Sequence, residues 1–191
     1  MIRRALLILA FFSVASHLAA QQEFAPTSPE GVTLAYIAAM KEAQLDAMTA
    51  LMHPEALAEF RGVLQPVVEM AGSSPDDAGE ILQMFEGVSS AAELAKLSDA
   101  KFYSSFYAGI IALEPELLET VRSAETEVLG HVMEGDDTAH VLYAMTLATG
   151  ATMRRTEVVS LRRTKSGWGI LLDADVDAMA QAIRQSLETR H

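Results

Sequence analysis

Between residues 123 and 173 the chain reads as four strands in succession, and this run constrains the fold more than any other stretch. Short turns at Glu134-Gly135-Asp136-Asp137, around Thr149-Gly150-Ala151 and at Lys165-Ser166-Gly167 separate segments rich in Val, Leu, Thr, Tyr and Trp. Those residue types suit a half-buried pleated surface. A sheet with one apolar face needs cover, and everything ahead of it reads as helix. The expected class is α+β, with N-terminal helices packed on a curved four-stranded antiparallel sheet and a C-terminal helix.

The Gly135-Asp136 pair is a favoured two-residue hairpin loop, and it sets the expected register of the first hairpin. Met133 then pairs with Thr138, Val132 with Ala139, His131 with His140 and Gly130 with Val141. In that register Val128, Gly130 and Val132 share the core face with Ala139, Val141, Tyr143 and Met145. The second hairpin puts Val159 and Leu161 on one side with Trp168, Ile170 and Leu172.

Ahead of the sheet, Thr27-Ser28-Pro29-Glu30 supplies a helix start, with a capping hydroxyl, a proline in the first turn and a glutamate placed to reach back. The first helix is expected over residues 30–44 and a second over 45–53, stopped by Pro54. A third begins at Glu55, where Pro66 predicts a kink or an end. Gly72-Ser73-Ser74 marks a break, Gly87 a stop, and Ser90 and Ser98 two further caps. Phe102, Phe106, Ile110 and Leu113 recur at helical spacing on one side of the helix that follows Ser98, and Glu114-Pro115-Glu116 starts a last short helix before the sheet. A C-terminal amphipathic helix is expected over residues 175–187.

Residues 1–20 have the three parts of a secretory signal: Arg3 and Arg4, an apolar middle, and small residues before Gln21. Cleavage is expected after Ala20, which leaves a leader at 21–28 and one domain at 29–189. The location expected is periplasmic or secreted, with no transmembrane segment after cleavage, and the alanine-rich, arginine-favouring composition points to a bacterial source. There is no cysteine, so the fold must hold without disulfides. Acids outnumber bases by 26 to 14, and they concentrate in the helical half. Such a surface repels phosphate backbones, which excludes nucleic acid as a partner and disfavours anionic lipid.

The layout resembles the nuclear transport factor 2-like superfamily, a cone-shaped α+β fold. The residues that carry the resemblance are the opening helix, the short second helix closed by Met52-His53-Pro54-Glu55, and the meander Val128-Leu129-Gly130-His131-Val132, Ala139-His140-Val141-Leu142-Tyr143, Glu157-Val158-Val159-Ser160-Leu161 and Gly167-Trp168-Gly169-Ile170-Leu171-Leu172. Residues 56–118 are longer and more helical than in the usual member. The resemblance implies a sheet curled around the helices to leave a pocket, used in some members for catalysis and in others for binding a small molecule or a protein. It carries no catalytic pair onto positions of this chain.

The residues expected to line such a pocket are Tyr36, Met40, Met52, Phe102, Phe106, Tyr143 and Trp168, with core packing as the default role for each. Three histidines are candidates for chemistry. His131 and His140, opposite each other in the expected register, suit a metal or a pH-sensitive contact. No third ligand lies near enough on that face, so ordinary half-exposed strand histidines are the default. His53, at a helix end, suits carbonyl capping better than general base chemistry. Asp173-Ala174-Asp175-Val176-Asp177 fails as a calcium loop, because Ala178 and Arg184 stand where glycine and glutamate are needed. There is no phosphate loop, nucleophile elbow or zinc spacing, and no cofactor is implied. The expected function is a noncatalytic module that binds a small apolar ligand or a protein, with a homodimer through the sheet as a further expectation. The alternative is a small isomerase, dehydratase or cyclase acting in the cone.

Overall fold

A computed structural model of the chain describes residues 27–71, 75–149, 151–172 and 175–188. The expected signal peptide and its cleavage point lie outside the described residues, as do the Gly72-Ser73-Ser74 break and Asp173-Ala174 of the acidic run. Ser28 opens the first helix as expected: its Oγ accepts the Gly31 N–H at 3.1 Å, and Pro29 occupies the first turn of α1 (Pro29–Lys41). The chain continues through α2 (Leu45–Ala50), α3 (Pro54–Ala71), α4 (Pro75–Gln83), α5 (Ala91–Leu94), α6 (Asp99–Leu113) and α7 (Pro115–Ser123). Ser90 and Ser98 cap α5 and α6 through their hydroxyls.

The sheet follows as β1 (Glu125–Glu134), β2 (Thr138–Thr149), β3 (Ala151–Thr164) and β4 (Gly167–Ile170), in sequence order and antiparallel throughout. The last element is α8 (Asp175–Glu188). The chain is therefore α+β, with helices on both sides of the sheet in sequence. One further contact extends the sheet. Leu51 caps the end of α2, and the chain passes through Met52 and His53 beside β4, where His53 N–H donates to Ile170 O at 2.8 Å and Ile170 N–H to Leu51 O at 2.9 Å. The second helix thus ends at Ala50 instead of His53.

Two expectations are corrected. Pro66, where a kink or an end is expected, does not end α3, which runs through it. Leu64, Val67 and Val68 around it are buried, and that packing outweighs the one backbone hydrogen bond the proline removes. The register of the first hairpin is also shifted by one. The loop is Gly135-Asp136-Asp137, so Glu134 pairs with Thr138, Met133 with Ala139, Val132 with His140 and His131 with Val141. Farther along β1 the register slips back, because Val128 pairs with Tyr143 while Gly130 pairs with Leu142, leaving Leu129 as the extra residue of a bulge. The bulge keeps Val128 on the inner face, as expected, while Val132 turns outward and is 61% exposed.

The inner face of the sheet carries Ala139, Val141, Leu161 and Ile170, all buried, with Val159 half-buried beside them. Against it the helices bring one continuous apolar cluster. At its centre Phe60 of α3 meets Phe102, Tyr103 and Phe106 of α6 edge-on, with ring centroids 6.1, 4.9 and 5.3 Å away. Phe85 packs on Phe102 at 4.8 Å. Edge-to-face pairs of this kind add to the large apolar area each ring buries. Leu113, expected on the same inner stripe, is instead exposed at the end of α6.

Candidate functional site

The corner between α1 and α2 begins the site. After Lys41 the chain reverses through Ala43, whose φ of 53° is left-handed, and the Gln44 N–H closes back on Ala39 O at 2.8 Å. This is the bonding pattern of a helix-ending Schellman turn, with alanine where glycine is usual. Across from it, the turn Glu86-Gly87-Val88 is fastened to α6. Glu86 N–H donates to Ser105 O at 2.9 Å and Ser105 Oγ donates to Glu86 O at 2.6 Å. Gly109 makes that approach geometrically available, since a Cβ there would stand 2.2 Å from Met84 O.

Between the corner, this turn and α6 runs an open groove of about 680 Å³. Its apolar surface comes from Ala43, Leu45, Ala47, Val88, Leu97 and Ala108, and its polar surface from Gln44, Asp46, Glu86, Lys101, Ser104 and Ser105. Asp46 Oδ1 and Lys101 Nζ pair at 2.7 Å across α2 and α6. A smaller hollow of about 310 Å³, lined by Thr49, Met52, Leu57 and Ala100, reaches the same ion pair from its other side. Both partners are well exposed, so the pair contributes little stability and opens at little cost.

The residues expected to line a pocket fall elsewhere. Met52, Phe102, Phe106 and Trp168 are buried in the core, and Tyr36, Met40 and Tyr143 are half-buried. The structure brings Phe102 and Phe106 together around Phe60 and Phe85, and of the seven only Met52 borders either hollow described here. Tyr36 and Tyr103 join hydroxyls at 3.0 Å, and burial pushes the Tyr103 hydroxyl far above its ordinary pKa, so it stays protonated. Trp168 lies under the Arg163 guanidinium, 4.1 Å from ring centroid to carbon.

The three histidines are not brought together. With the register corrected, His131 and His140 point to opposite faces of the sheet, and among the described residues no three His, Asp or Glu side chains converge as metal ligands do. Each imidazole instead has its own carboxylate. His131 Nδ1 lies 2.5 Å from Glu30 Oε1, linking β1 to the first turn of α1. Glu30 is only 8% exposed. Burial pushes its carboxyl up, but hydrogen bonds from its own backbone N–H, from His131 and from Ser28 outweigh this and hold it below the usual range. His140 on the outer face binds Glu134 Oε2 at 2.8 Å and Ser160 Oγ at 2.9 Å. His53 is buried, and its Nδ1 accepts the Glu55 N–H at 3.2 Å. It therefore caps the start of α3 rather than the carbonyl end of α2.

Comparison with known proteins returns no matching family model, no matching curated protein and no matching solved structure. What the groove can take follows from its own chemistry. It offers an apolar floor, two hydroxyls and an amide at the sides, a second acid at Glu86, and one lysine held by a weakly competing aspartate. Sequence reasoning missed this site because its parts are remote. Asp46 and Lys101 are 55 residues apart, and no local spacing reports their pairing. The one available signal was Gly109, a glycine inside a strongly helical run, which marks a close backbone approach.

Proposed function

We infer that the protein is an exported, noncatalytic binding module of the nuclear transport factor 2-like kind, whose ligand lies in the groove between α2, the Glu86-Gly87-Val88 turn and α6. The observation that carries this reading is the groove, whose volume of about 680 Å³ falls in the range of small-ligand sites. Four of the residues expected to line a cone cavity are buried in the core, which favours a binding surface on the helical side. The chemistry suits a small amphipathic ligand, its apolar part on Leu45, Val88 and Leu97 and its anionic end competing with Asp46 for Lys101. Export is supported by the basic, apolar and small-residue order of residues 1–20. The family reading is supported by the order of elements, with opening helices and a terminal four-stranded meander.

The test is native mass spectrometry of the protein purified from its own source, with Ala108→Trp filling the groove and Val158→Asp as a remote control. A small molecule retained by the wild type and the control but lost from A108W is the expected result. A ligand held equally by all three, or by none, refutes the groove.

A second reading is favoured by Glu30 and His131. A buried carboxylate fixing one ring nitrogen leaves Nε2 to move a proton, the arrangement of a general base in an isomerase, dehydratase or cyclase. Ligand-induced shifts of the His131 ring resonances, absent for the Lys101 side chain, would select it over the groove.

A further inference from the structure

The Asp46–Lys101 pair divides two hollows that would otherwise form one trough. The groove of about 680 Å³ lies on one side and the hollow of about 310 Å³ on the other, and both side chains line each of them. Each volume by itself falls within the range of small-ligand sites. The smaller hollow is apolar apart from the ion pair and Thr49, with walls from Ala50, Met52, Leu57 and Ala100. Thr49 Oγ1 donates to Leu45 O at 2.7 Å, so its hydrogen is already spent.

Stability does not explain the pair. Both side chains are well exposed, where an ion pair is worth little. Lys101 also stands in the first turn of α6, the end at which the helix dipole disfavours a cation. Asp46 stands in the first turn of α2, where a carboxylate is favoured with or without the lysine. Of the two, Lys101 gains from another anion and Asp46 can be left to water.

The groups beside Lys101 narrow the anion. Ser105 Oγ donates to Glu86 O at 2.6 Å and Ser104 Oγ to Lys101 O at 3.3 Å, so both hydroxyls are left as acceptors. Gln44, whose side chain does not cap α2, supplies an amide that both donates and accepts. Acceptors next to a cation suit an amide N–H that adjoins a carboxylate. Glu86 makes the far wall of the larger hollow negative, which turns away a second anion and leaves Lys101 as the anchor.

We propose that the ligand is an N-acyl amino acid, its carboxylate on Lys101 in place of Asp46, its acyl chain along the larger hollow and its apolar side chain in the smaller one. This rests on the groove being the binding site, and it extends that site past the ion pair. Asp46 turns out to solvent as the ligand enters, and the two hollows join. The charge of such a molecule sits between two apolar arms of unequal size, as the lysine sits between two hollows of unequal size. A simple fatty acid, with its carboxylate at one end, fills only one of them.

Isothermal titration calorimetry with N-dodecanoyl-leucine and N-dodecanoyl-glycine, both below their micelle concentrations, tests this. The leucine conjugate binds about tenfold or more tighter, because only it has an arm for the smaller hollow. Ala50→Trp fills that hollow from an exposed position, removing the advantage and leaving the glycine conjugate unaffected. Lys101→Gln weakens both about tenfold or more, whereas Asp46→Asn, which frees the lysine, tightens both. Ala108→Trp abolishes both, and the exposed Ala47→Trp serves in its place if that variant does not fold. Equal affinity for the two conjugates, an advantage that survives A50W, or weaker binding to D46N overturns the proposal. Loss of binding in A108W alongside any of these keeps the groove as the site. Binding of neither conjugate overturns the ligand class, and the retained-ligand comparison of wild type with A108W then judges the groove separately.

Discussion

Gly109→Ala separates close packing from helix propensity within one helix. In a solvent-facing helix the change stabilises by about 1 kcal/mol, since alanine is the better helix former. At Gly109 the new Cβ would stand 2.2 Å from Met84 O, 2.4 Å from Met84 C and 2.9 Å from Phe85 N. Ordinary contact begins near 3.4 Å, so the Met84-Phe85 backbone must retreat by roughly 1 Å. That retreat loosens Phe85 from Phe102 and Phe106, now 4.8 and 5.4 Å away. Overpacking costs typically 1–3 kcal/mol and each aromatic pair about 0.5–1.5, so the net loss is about 2 kcal/mol. Gly62 and Gly79, also helical, have nothing within 4 Å, and alanine at either stabilises by about 0.5–1 kcal/mol. Urea unfolding midpoints at constant slope measure the contrast. G109A as stable as the wild type would refute the close approach, and with it the tether that shapes the groove wall.

Ala43→Gly relieves a left-handed residue at the groove corner and should stabilise by about 0.5–1 kcal/mol, net of the added freedom of the unfolded chain; a lower unfolding midpoint would contradict it. Glu30→Gln should cost about 1.5–3 kcal/mol at neutral pH by weakening the bond to His131. Because the folded carboxyl titrates below its unfolded value of about 4.3, its contribution is full above that pH and is lost as pH falls through the lower folded value. Wild type and E30Q should therefore converge in stability in acid, and a gap that persists at the lowest pH would refute the pairing.

The fold was legible from the sequence wherever a local rule applied. Ser28, Ser90 and Ser98 announced their helices because a cap is decided within four residues. The four strands were legible because alternation and turn residues act over short spans. What failed depended on a single residue or on tertiary support. The loop after β1 holds three residues instead of two, and that one step separates His131 from His140 and dissolves the proposed pair. Pro66 does not end α3 because buried valines carry the helix on past its ring. Glu30 was read as a capping residue, and its partnership with His131 spans 101 positions, beyond the reach of any motif. Aromatic and methionine content identifies a core but says nothing of where the core leaves space.

The segment at Leu51, Met52 and His53 seals one margin of the sheet, but that margin is made late, since its partner Ile170 lies well over a hundred positions farther along the chain. A ribosome releasing this polypeptide cannot deliver a finished domain until Ile170 has been made. The helices close on local hydrogen bonds, but the seam between Leu51, His53 and Ile170 must wait. Until Ile170 is in place, the stretch after α2 has no strand to lie against.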